Sequence, residues 1–214
     1  MQILKQAVLG LALLAAPVAV HAAPLTGSID FGGIFQGVDG SGNNVRLADA
    51  VAIDFCANVV GPCITGAGGS FSVDAVSPGS NMPVSSGNVG TIQDFNFDSF
   101  SGPIANFFTV GGLSFDLNTI IATQTTIPPL PPGTAPTDYL LISGTGTLRA
   151  AGFDATPGTF TFSGQTDGIN LVGDFTFSGG SAALPVQTPV PAPAGLALLG
   201  AGLLGLGLVR RKAA

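Results

Sequence analysis

Apolar residues recur at spacing two along much of the chain, as in Phe95 and Phe97, Phe160 and Phe162, and Phe175 and Phe177. Side chains two apart on an extended backbone project from one face, so each pair predicts a strand with one buried side. The Thr or Asn between them takes the opposite face. Further strands are expected over residues 27–35, 45–55, 71–73, 107–110, 113–117, 139–142, 146–150 and 169–172. Gly111 and Gly112 separate two of these runs and predict a two-residue hairpin, because glycine accepts the positive φ angles of primed turns. Residues 154–158, with Pro157 and Gly158, are expected to turn a second hairpin between 146–153 and 159–162. The sequence Phe-Thr-Phe-Ser-Gly occurs at 160–164 and again at 175–179. One recurrence is too little for a solenoid and suits similar strands in one sheet. The Pro-rich stretch 126–137 reads as a loop between β halves, with 119–126 able to pair before the prolines stop it. Together these elements predict an all-β domain, a β-sandwich of jelly-roll type.

Both ends of the chain break this pattern. Residues 1–22 carry one early cation, Lys5, then an apolar run over 7–20, and close on Val20-His21-Ala22. This layout predicts a signal peptide cleaved by signal peptidase between Ala22 and Ala23. An uncleaved membrane helix is the alternative, but the run is short for a span and Pro17 interrupts it. At the other end, residues 194–209 read AGLALLGAGLLGLGLV, sixteen uncharged residues followed by Arg210, Arg211 and Lys212. With 188–193 included, the uncharged stretch can cross roughly 30 Å of hydrocarbon at about 1.5 Å per helical residue. The basic triplet is expected to stay on the cytoplasmic side, which leaves the preceding domain outside the inner membrane. The chain therefore divides into a signal peptide (1–22), a Phe-rich β domain (23–187) and a tail (188–214).

The tail consists of Val190, Pro191, Ala192 and Pro193, then a short apolar helix, then the basic end. In this layout it resembles the PEP-CTERM sorting signal of Gram-negative bacteria that make exopolysaccharide. The resemblance covers about the last 25 residues, and its three-part order is more specific than any one part. It implies recognition by an exosortase, a membrane transpeptidase that removes the tail, after a transient stay in the inner membrane. Delivery to the cell surface or extracellular matrix follows from it, with exopolysaccharide or biofilm as the expected surroundings. The sequence departs from the family at Ala192, where Glu is usual. Residues 144–165 also resemble a segment that recurs in PEP-CTERM proteins, which adds family support and no mechanism.

Charge and inventory narrow the chemistry. The chain has 12 acidic and 6 basic residues, and the β domain holds every Asp but only Arg46 and Arg149 as cations. Such a surface gives no basic footprint for phosphate backbones, so nucleic acid is not an expected partner. The single histidine, His21, lies in the signal, so a Ser-His-Asp or Cys-His site is not expected in the exported domain. Cys56 and Cys63 lie close together in an exported chain and are expected to form a disulfide. Paired carboxylates such as Asp94 with Asp98, or Asp154 with Asp174, are conceivable glycosidase pairs, but sequence spacing does not fix their separation. Asp39, Ser41 and Asn43 stand at positions one, three and five of a calcium-loop pattern. That pattern then fails at Asn44 and Ala50, which leaves an Asx-rich turn as the plainer reading. The paired Phe are expected in the core, since Phe has no polar tip and sugar platforms favour Trp and Tyr, of which only Tyr139 is present. No cofactor and no catalytic residues are expected. The sequence thus predicts a non-catalytic exported surface or matrix protein. The alternative is a polysaccharide-binding module, aided by calcium, on a plain membrane anchor.

Overall fold

Alternation at period two becomes strand over most of the β domain. A computed structural model describes residues 22–66, 68–129 and 134–182. The strands are β1 (Ala23–Pro24), β2 (Ser28–Val38), β3 (Asn44–Val45), β4 (Ala52–Phe55), β5 (Gly69–Val76), β6 (Val89–Ile92) and β7 (Phe95–Asn96). They continue with β8 (Ile104–Val110), β9 (Leu113–Ile127), β10 (Thr137–Ala150), β11 (Phe153–Asp154), β12 (Thr156–Thr166) and β13 (Val172–Ser181). A 3-10 turn, Leu47–Asp49, lies between β3 and β4.

The all-β expectation holds, but the two-sheet jelly roll is replaced by another arrangement. Eight strands pair in the order β13-β12-β10-β9-β8-β6-β5-β2, and β13 pairs β2 to close an antiparallel barrel. Closure removes the exposed edges that a sandwich would keep. The bend that permits it comes from irregularities that a hydrophobic pattern does not reveal. In β9, Thr119 pairs Thr145 while Leu117 pairs Gly146, so Asn118 is an extra, bulged residue. Before the bulge Leu113, Phe115 and Leu117 are buried; after it Ile120 and Ala122 pack against the core. One inserted residue has switched the inward set from odd to even positions.

The barrel interior is filled with Phe. Thirteen of the fifteen Phe are buried, and Phe100 and Phe153 pack against that core. Phe31 lies at the centre, with ring centroids 3.9 Å from Phe71, 4.5 Å from Phe177 and 5.0 Å from Phe108. An eight-stranded barrel has room for side chains or for one small ligand, and here rings take the space. The repeated pentapeptide explains how. In the β12–β13 pair Phe162 faces Phe177, Phe160 faces Gly179 and Gly164 faces Phe175. Each outer ring thus lies over a residue with no side chain. Gly144 on β10 and Gly33 on β2 complete the pattern, flanking Phe160 and Phe175 from the other side. The two copies are adjacent strands of one sheet, as their recurrence suggested.

Several boundaries differ from the sequence reading. The stretch 45–55 is not one strand, because the Leu47–Asp49 turn folds over the barrel end, where Gln124 Nε2 donates to the carbonyls of Leu47 (2.7 Å) and Ala50 (2.9 Å). Residues 139–142 and 146–150 fuse into the single long β10, whose inward glycines give no reason to break. Residues 169–171 are loop, since Asp167 Oδ1 accepts the N–H groups of Ile169 (3.0 Å) and Asn170 (2.6 Å) and holds them in an Asx turn. The second hairpin turns at Ala151 and Gly152, ahead of the expected 154–158, because Gly152 supplies the positive φ (83°) that Pro157 cannot. The Gly111-Gly112 turn is as expected, with φ of 57° and 87°.

Candidate functional site

The strand directions sort the connections between two ends of the barrel. At one end lie β1, the β8–β9 turn, the β10–β12 connection and the last residues of β13. The other end gathers the long connection from β2 to β5, the β6–β8 connection, the end of β9, the start of β10 and the Asp167 turn. The residues that the sequence singled out fall mostly at this second end.

Asp39 begins a tight loop there. Its Oδ1 accepts the N–H groups of Ser41 and Asn43, each at 2.8 Å, and Asn43 Nδ2 donates to Oδ2 at 3.1 Å. Those bonds hold the carboxyl below its ordinary 3.8, the Asn43 N–H contributing most. Gly42 takes φ +84° to close the turn. Asp39, Ser41 and Asn43 are therefore brought together, with the carboxylate engaged by the loop's own amides. Among the described residues no three His, Cys, Asp or Glu side chains converge on a common metal position.

The disulfide joins Cys56 to Cys63, with Cα atoms 5.1 Å apart. Asn58 braces the loop it closes: Nδ2 donates to the carbonyls of Val60 and Pro62, both at 2.7 Å, and Oδ1 accepts the Ile64 N–H at 2.9 Å. Val60 and Ile64 are left in solvent. Nothing in the sequence beyond the two Cys positions pointed to Asn58, whose role depends on the closed loop.

Asp154 and Asp174 do not meet. Asp154 lies at the β12 start, beside Thr156, while Asp174 pairs Gln165 near its far end, about 30 Å away at strand rise. Asp94 and Asp98 flank β7, with Asp98 in the turn that follows it. Glycosidase carboxyls are roughly 5–10 Å apart. Asp94 instead continues the β4–β7 register, Ala52 to Asn96 and Ile53 to Phe95, which sets it across from Asp54. Asp94 accepts the Phe55 N–H at 2.8 Å and the Gly68 N–H at 3.1 Å. Burial still pushes its carboxyl above the ordinary value, and burial together with the Asp94 charge raises that of Asp54. One buried oxygen of Asp54, Oδ1, has no hydrogen-bond partner. The Asp94 charge thus bears on Asp54 across the strands, and sequence reasoning missed this pair, since neither residue's local pattern reveals the cross-strand register.

Val190, Pro191, Ala192, Pro193, Arg210, Arg211 and Lys212 lie outside the described residues, as do the signal peptide and the apolar tail. Among the described residues no helix is long and apolar enough to cross a membrane. Comparison with protein-family models, curated proteins and solved structures found no match to the chain.

Proposed function

We propose that this chain is a non-catalytic exported surface or matrix protein, delivered by its signal peptide and sorted through its tail. The observation that carries the reading is the tail itself: Pro191 and Pro193 ahead of sixteen uncharged residues and a terminal Arg210-Arg211-Lys212. The apolar segment partitions into the inner membrane and the basic end resists crossing it. The prolines keep the preceding backbone extended, available to an exosortase-type transpeptidase. Three features of the β domain support this. Its two cysteines are paired, as suits an oxidising compartment. Its outer wall on β12 and β13 carries Thr159, Thr161, Ser163, Thr176 and Ser178, which suits water and not lipid. Ala23–Pro24 and Ser181, close to the two ends of the described domain, lie at the same barrel end.

Intact-mass analysis of the protein from its own cells tests the reading. The surface form is expected to begin at Ala23 and to lack the segment 196–210. Deleting the exosortase, or changing Pro191 and Pro193 to Ala, should leave the tail attached and the protein in the membrane fraction. Wild-type surface protein that retains its tail would overturn sorting and leave a plainly anchored domain.

A further inference from the structure

Three side chains on three adjacent strands form a row on the outer wall near the loop-rich end. Tyr139 on β10 pairs in register with Gln165 on β12, and Gln165 with Asp174 on β13. Each lies between two buried neighbours on its own strand, so all three point outward. At about 4.8 Å per strand the row extends roughly 10 Å across the sheet. They line a shallow depression of about 420 Å³, bordered also by Thr137, Thr166 and Asp167.

What separates this place from the rest of the wall is unused hydrogen-bonding capacity around an aromatic ring. Among the described residues the Tyr139 phenol, the Gln165 amide and the Asp174 carboxylate make no hydrogen bond within the protein, whereas Asp167 is held by Ile169 and Asn170. Tyr139 is the chain's one tyrosine and is half-buried at the depression. A ring with a polar tip, an amide that both donates and accepts, and a carboxylate that accepts strongly are the groups that read a ligand with apolar C–H faces and many hydroxyls. Among the described residues no cation borders the depression, which disfavours phosphate and acidic sugars.

We infer that the Tyr139–Gln165–Asp174 row is a binding site for a neutral polysaccharide running across β10, β12 and β13. The strand spacing is close to the length of one sugar ring, so successive rings meet successive side chains. The site does not depend on tail processing, and it does not use the Asp39 loop. Isothermal titration of the full-length chain, in a detergent without a sugar headgroup, with cello-, malto-, xylo- and chitohexaose tests it. At least one hexasaccharide should bind. Tyr139→Ala and Asp174→Asn should each weaken that binding tenfold or more, and Gln165→Ala severalfold, while Asp39→Asn and added chelator leave it unchanged. Gln165 is exposed, so its variant separates lost binding from lost folding, which circular dichroism checks for all three. Absence of binding by every neutral hexasaccharide at millimolar concentration would overturn the inference. So would binding that the row variants do not alter, or binding restricted to acidic glycans.

Discussion

Arg46 closes on Asp138 at the loop-rich end of the barrel, its Nη2 2.9 Å from Oδ1 and its Nε 3.2 Å from Oδ2. Thr126 adds a hydroxyl donor to Oδ1 at 2.7 Å. Asp138 is fully buried while the guanidinium is partly exposed. Arg46 immediately precedes the Leu47–Asp49 turn, and Leu47 is itself fully buried over the barrel interior. The ion pair therefore fastens the segment that covers this end to the strands β9 and β10.

Removing the cation strands a buried carboxylate, which costs more than the intact pair contributes. Arg46→Ala is expected to destabilise the protein by about 3 kcal/mol, at the low end of the buried-pair range because the guanidinium meets solvent. Arg46→Lys should recover only part of this, since an ammonium cannot reproduce the two-point contact. Urea denaturation measures both; equal stability of Arg46→Ala and wild type would show that the clasp does not hold the end closed.

Ring-over-glycine packing gives a second expectation. A Cβ at residue 164 would lie 2.7 Å from the Phe35 ring and 3.1 Å from that of Phe162, both buried and unable to swing aside. Gly164→Ala should therefore cost about 1–3 kcal/mol by overpacking. Gly40, with nothing within 4 Å of its Cβ position, is the control, and Gly40→Ala should change stability by less than about 0.5 kcal/mol. Thermal unfolding of the two variants side by side decides whether close approach, and not glycine content, is what matters.

These glycines also show what the sequence could and could not reveal. Period-two Phe spacing identifies strands and their inward faces, because alternation follows from backbone geometry alone. The repeated pentapeptide likewise foretells neighbouring strands, and Phe162 does face Phe177. Barrel closure was not legible. It depends on where the register slips, at Asn118 and between Asp30 and Phe31, and a bulge leaves no mark in a pattern of apolar residues. The break in 45–55 was hidden for a related reason: Gln124, over seventy residues away, captures the Leu47 and Ala50 carbonyls. The loop at Asp39 was readable because its hydrogen bonds are local. Asp54 and Asp94 were not, since only strand pairing makes them neighbours.

The disulfide loop permits a third test. Closing a loop of this size stabilises by about 2.5 kcal/mol through lost chain entropy. A reductant that opens Cys56–Cys63 should lower stability by about that amount, with the barrel still folded, because the Phe core does not pass through the loop. Asn58→Ala should add to the loss in the reduced protein, since it removes three hydrogen bonds that otherwise shape the loop. Denaturant midpoints with and without reductant report this. An unchanged midpoint would mean that the loop opens independently of global unfolding.

The facing carboxyls Asp54 and Asp94 set an unusual sign for part of the pH dependence. Burial raises both above 3.8, and the Asp94 charge raises Asp54 further. A carboxyl whose folded value exceeds its unfolded value binds its proton more tightly in the native state. Its contribution to stability is therefore present below the unfolded value and is lost as pH rises through the folded one. Asp116 acts oppositely: although burial opposes it, the Asn106 N–H and Arg149 hold it below 3.8, so its contribution is lost as pH falls. Replacing Asp54 by Asn removes the charge, keeps the shape and ends the repulsion of Asp94. Asp54→Asn should thus be more stable than wild type at pH 7, and the difference should shrink towards zero as pH falls below about 4, where wild-type Asp54 is protonated too. Denaturant midpoints of the two proteins across pH 3 to 8 measure that difference. A variant less stable than wild type at pH 7, or a gap that widens in acid, would show that Asp54 carries a stabilising charge and that the pair is not under mutual strain.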